Sequence, residues 1–120
     1  MFDDPPAHLL IAAVREALES GLAPGFAQKM AANALGIAHR ELTLGPGFAA
    51  AENAALARLT AAAPDTARDA MQERLCAMIA DGAVALDDPA LVDHLVRISL
   101  ARVAVDQPGY PGFRAMTRDI

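Results

Sequence analysis

The sequence predicts an all-α fold: a compact bundle of about five helices around a central hydrophobic one. Three observations carry that expectation. Alanine supplies 29 of the 120 residues, against five Phe and Tyr together, and alanine has the highest helix propensity and lets helices approach closely. Strand-forming residues are sparse and never alternate with polar ones over a useful length. Proline and glycine cut the chain into helix-sized pieces. At this length a single domain over residues 1–120 is expected, large enough to bury a core without staples.

The central piece is residues 26–44, FAQKMAANALGIAHRELTL. At about 100° per residue, Phe26, Met30, Ile37 and Leu44 form one stripe, and Ala27, Ala31, Ala34, Leu35, Ala38 and Leu42 cover the next side. Only a narrow polar arc remains, so this helix is expected to be the most buried one. Gly45-Pro46-Gly47 is expected to end it.

The other elements follow from their boundaries. Asp4 before Pro5-Pro6 reads as a cap followed by proline at the first turn. The first helix then runs to about Ser20, burying Leu10, Ile11, Val14, Ala17 and Leu18, with Gly21 as its stop. A third helix over residues 48–62 is alanine-rich and thinly anchored by Phe48, Ala55, Leu56 and Leu59, so the weakest packing is expected there. Asp65 or Thr66 caps a fourth, which reaches about Asp81 with Met71, Leu75, Met78 and Ile79 inward. Asp88-Pro89 opens a fifth, to about Val105, burying Leu91, Val92, Leu95, Ile98, Ser99 and Val103. Residues 106–120, with Pro108, Gly109, Pro111 and Gly112, read as an extended tail anchored by Tyr110 and Phe113.

Charge and composition exclude several classes of function. The net charge is −5, and nine Arg and one Lys are scattered, so no basic face for nucleic acid is present. No apolar run is long enough to cross a membrane. The start, MFDDPP, is no signal peptide. Cys76 is the lone cysteine, which fits a reducing, cytoplasmic setting; within its amphipathic helix it reads as a buried, inert thiol. His8, His39 and His94 stand apart at no metal-ligand spacing and read as surface residues. There is no phosphate-binding or dinucleotide loop and no nucleophile elbow. No catalytic residue, cofactor or metal is therefore assigned.

The out-of-pattern polar residues are the informative ones. Lys29, Asn33 and Arg40 line one edge of the apolar stripe with Gly36 beside them, and Glu41 lies on the other edge. Arg102 shares a face with Leu91, Leu95 and Ile98, where a cation needs an acceptor; Glu41 and Asp106 are the candidates. A functional reading makes this a row that binds an anion or a partner. A structural reading, the favoured one, makes it a set of helix-locking bonds, since ion-pair networks produce the same clusters.

These residues also carry a resemblance. KMAANALGIAHREL at 29–42 resembles the signature "RVAANALxIVxREL" of a small, all-helical bacterial family of unknown function. LDDPAL at 86–91, LARVAVDQP at 100–108 and YPG at 110–112 resemble its second half. Lys29 replaces the family's usual Arg, Ala27 stands where a His is frequent, and the turn at 21–25 is shorter. The genes of such proteins commonly lie beside aminoglycoside-phosphotransferase-like kinases and acyl-CoA dehydrogenases. The resemblance thus implies an accessory protein of acyl-CoA metabolism.

Two hypotheses result. The first is a non-catalytic accessory or interaction subunit for a phosphotransferase-like or acyl-CoA dehydrogenase partner, with homo-oligomerisation open. The second is a binder of a small anionic ligand, or a weak enzyme. The candidate ligand- or partner-binding residues are Lys29, Asn33, Arg40, Glu41, Arg102, Asp106 and Tyr110. A broad exposed apolar surface favours the first hypothesis, and a deep pocket lined by these side chains favours the second.

Overall fold

The structure, a computed structural model, describes residues 5–118. It is all-α: α1 (Ala7–Glu19), α2 (Phe26–Thr60), α3 (Arg68–Ala80), α4 (Pro89–Asp106) and α5 (Pro111–Thr117), with no strand among the described residues. Among the described residues no helix is long and apolar enough to cross a membrane. The chain divides into two units, Met1–Pro46 with Arg102–Ile120, and Gly47–Ala101.

The first difference from expectation is the length of α2. Gly45-Pro46-Gly47 does not end a helix; Pro46 lies inside α2, which runs 35 residues. Proline has no N–H for the Leu42 carbonyl one turn back, and its ring crowds that turn. Gly45 removes part of the conflict, because the residue before proline clashes largely through its Cβ and glycine has none. The alanine-rich stretch that follows, residues 49–57, sustains the helix beyond it.

Within the first unit, α2 buries a different face from the expected one. Ala38 is buried, whereas Phe26 is 79% exposed, Leu42 60% and Met30 52%; Leu35 and Leu44 are also exposed. Residues 26–44 are therefore not the most buried helix. Ala27, Ala31 and Ala34 are half-buried and Gly45 is buried, so the helix packs through its smallest side chains. Backbones approach closely across alanine and glycine, and the large side chains are left on the flanks. In α1, Ala7 and Val14 are buried, Leu10 and Ala17 are half-buried, and Ile11 and Leu18 are exposed, contrary to expectation. Pro6 is its N-cap; the expected cap, Asp4, lies outside the described residues. Gly21 ends the turn after α1 at φ +88°, a conformation open to glycine.

The expected extended tail contains α5. Tyr110 is its N-cap and Pro111 takes the first turn, where a missing N–H costs nothing. Phe113 is half-buried, but Tyr110 is exposed, its ring lying over Gly112, where a Cβ would come within 2.6 Å.

The second unit holds the hydrophobic core. Leu56, Met71, Leu75 and Leu91 form it, with Leu59, Ile79 and Val84 packed against them. Residues 48–62, expected to pack weakly, thus supply one of its two most buried side chains, Leu56, which with Leu91 is 1% exposed. Thr60 ends α2 by donating to the Leu56 carbonyl at 2.7 Å. Ala61 follows at φ 51°, and the Ala62 N–H closes the turn on the Ala57 carbonyl. Glu52 ties α3 to α2 through Gln72, 3.1 Å, and Arg68, 4.0 Å.

α3 begins at Arg68, later than expected. Cys76 is exposed rather than buried; it is turned by about 100° from Leu75. α4 opens as expected, with the Asp88 carboxylate accepting from the Ala90 and Leu91 N–H groups. Its buried stripe is rotated, however: Leu91, His94 and Val105 are buried, while Val92 and Leu95 are exposed. His94 is therefore a core residue, whereas His8 and His39 are exposed as expected.

Candidate functional site

All seven candidate residues fall in the first unit. Helix periodicity sets the arrangement of those on α2. Lys29, Asn33, Gly36 and Arg40 lie within about 60° of one another, and the Phe26, Met30, Ile37, Leu44 stripe runs alongside.

Arg40 is the anchored member. Its Nε donates to the Val105 carbonyl at 2.6 Å. That carbonyl sits in the last turn of α4, where four carbonyls have no partner within the helix and the helix dipole is negative. A guanidinium placed there satisfies one such oxygen and the local field together. The head lies back over Gly36, so that a Cβ on residue 36 would stand 3.1 Å from Arg40 Nη1. Gly36 thus provides the shelf on which the guanidinium rests. Nε is spent on the carbonyl, while the four N–H groups of Nη1 and Nη2 make no hydrogen bond among the described residues.

The others are less constrained. Lys29 and Asn33 are exposed. Glu41 is half-buried, and its Oε2 is buried with no hydrogen-bond partner among the described residues. Asp106, next to the carbonyl that Arg40 holds, is half-buried. Arg102 is exposed rather than turned toward the core, and among the described residues no bond joins it to Glu41. It sits beside Leu95, and Leu95 itself faces outward. The structure therefore joins Arg40 to the end of α4 and leaves Lys29, Asn33, Arg102 and Tyr110 open on the surface.

Two features escaped the sequence reading: the exposure of the large α2 side chains and the burial of His94. The repeated alanines at 27, 31, 34 and 38 were the available signal for the first, since small residues at helical spacing mark a close contact as readily as a large stripe does. His94 lies three residues from Leu91 and four from Ile98, on the stripe that leads to Val105.

Among the described residues no group of three or more His, Cys, Asp or Glu could hold a metal ion. The site offers cationic and amide donors beside apolar surface, a chemistry suited to binding. No curated protein and no solved structure matches the chain. A family model does match, over residues 18–110, and the chain belongs to that family, the domain of unknown function DUF6285.

Proposed function

We propose that this protein is a non-catalytic accessory subunit, and that α2 is its contact surface for a phosphotransferase-like or acyl-CoA dehydrogenase partner in acyl-CoA metabolism. One observation carries the reading: α2 exposes large apolar side chains on two sides, Phe26, Met30 and Leu44 on one and Leu35 and Leu42 on the other. Exposed apolar rows of this kind mark interaction surfaces. The class of partner comes from the resemblance described above, and the bacterial cytoplasm is the setting it implies, which the lone cysteine fits.

The test is co-purification of the tagged chain from its native host, followed by the same experiment with Leu42→Glu. The expected result is a phosphotransferase-like or dehydrogenase protein that is retained by the parent and lost with the variant. If the parent elutes without either class of protein, the accessory role is contradicted.

The unspent Nη groups of Arg40, beside Lys29 and Asn33, favour a second reading: binding of a small anionic ligand by that row. Titration with inorganic phosphate, read by amide chemical shifts, should then move residues 29–40, and Arg40→Met should abolish the change. Unmoved shifts would remove this reading.

A further inference from the structure

The chain passes between the two units twice, each time inside a helix. α2 crosses between Pro46 and Gly47, and α4 returns between Ala101 and Arg102. Each unit also ties the two helices to each other. In the first, Arg40 of α2 donates to the Val105 carbonyl of α4. In the second, Leu56 of α2 and Leu91 of α4 share one core. Between these ties both helices are weakened at the crossing. Pro46 leaves the Leu42 carbonyl without its helical donor. Neither space nor backbone geometry calls for glycine at the next position: a Cβ on Gly47 would meet nothing within 4 Å, and its φ is not positive. Glycine in a helix interior works against the helix through its backbone freedom. Among the described residues the helices hold four Ser or Thr. Thr60 and Thr117 end their helices. The other two, Thr43 and Ser99, each stand about one turn before a crossing. Thr43 Oγ1 donates to the His39 and Arg40 carbonyls at 2.9 and 3.4 Å, and Ser99 Oγ to the Leu95 carbonyl at 2.8 Å. Hydroxyl bonds of this kind compete with the helix ladder and bend it.

We propose that Gly45-Pro46-Gly47 is a hinge: α2 bends there, α4 yields at residues 99–102, and the two units move as separate bodies. Sharp helix bends arise at proline and where a side chain enters the ladder, and glycine adds backbone freedom. α2 brings these features together within residues 43–47. A few such residues suffice, since a hinge needs only enough positions to absorb the change in φ and ψ. The two ties fix where the bend falls. The Arg40–Val105 bond holds α2 to α4 on one side and the Leu56–Leu91 core holds them on the other, so both helices give way between the ties. Gly45 is buried at the pivot and has no Cβ to collide as the angle changes. The hinge stands apart from the accessory reading, since it needs no partner.

The experiment is double electron–electron resonance between spin labels on the purified full chain. Cys76, exposed in the second unit, takes one label. The other goes to Gln28→Cys or to Glu16→Cys in the first unit, both exposed positions, so that two directions are read. Asn53→Cys with Cys76, both in the second unit, gives the width of a pair within one body. Gln28 lies about 27 Å along α2 from Pro46, so a bend of about 20° carries it through roughly 9 Å. The parent is expected to show, for at least one of the two cross-unit pairs, a distance distribution broader than that of the Asn53 pair. Pro46→Ala combined with Gly47→Ala is expected to narrow it to the within-unit width. A Cβ fits at position 47, and circular dichroism checks that the double variant keeps the fold. Cross-unit distributions in the parent that are both as narrow as the within-unit one overturn the hinge. So does a broad distribution that the double substitution leaves unchanged, since the motion would then lie elsewhere.

Discussion

Arg40 reaches 65 residues along the chain to donate its Nε hydrogen to the Val105 carbonyl at 2.6 Å. Val105 is fully buried with Arg40 in place, so its carbonyl depends on that donor for a partner. Arg40→Met keeps an unbranched stem of similar reach but leaves the carbonyl unpaired, and should cost about 1–3 kcal/mol. Arg40→Lys should recover part of that loss, because a cation still faces the end of α4, though without the guanidinium fork. Urea unfolding of the three proteins measures both effects. A Met variant with the parent's midpoint would show that the bond adds nothing.

Pro46 gives a prediction of opposite sign. It interrupts α2, and a proline in a helix interior costs about 3 kcal/mol relative to alanine. Pro46→Ala restores an N–H to the Leu42 carbonyl and should raise the unfolding free energy, by up to ~3 kcal/mol. Calorimetric melting reads the change. A lower melting temperature would mean that the packing depends on the proline's local geometry.

The sequence made the helical class and the openings of α2 and α4 legible, because capping and proline signals are local. It misplaced the end of α2, because Gly-Pro-Gly is a stop signal only where the neighbouring residues do not sustain the helix, and here alanines do. Burial was read by size, which favoured Phe26 and Met30; the structure buries Ala38 instead, and only the partner element decides that. Arg40 was legible as an out-of-pattern cation. Its acceptor was not, because a backbone carbonyl carries no residue signature. Arg102 was misassigned because its apolar neighbour Leu95 faces outward, and periodicity gives a residue's neighbours but not the direction of the core.

His94 is 4% exposed, and its Nδ1 is buried with no hydrogen-bond partner among the described residues. A buried polar atom without a partner carries its desolvation cost uncompensated. His94→Leu, of similar volume, should therefore raise stability by about 1–3 kcal/mol. Thermal melting at neutral pH checks it. A drop of similar size would show that the imidazole makes a bond essential to the second unit.

The claim that most of this account rests on is that the large side chains of α2 are covered when the protein works. Hydroxyl-radical footprinting addresses it without knowing the partner. Met30 and Phe26 are 52% and 79% exposed in the chain alone, and Met116, at 55%, serves as the internal reference. The chain is labelled in cells at its native level and again after purification and dilution. The account predicts that Met30 and Phe26 are protected in cells relative to Met116 and become reactive on dilution. Equal labelling of Met30 and Met116 in both states would contradict it.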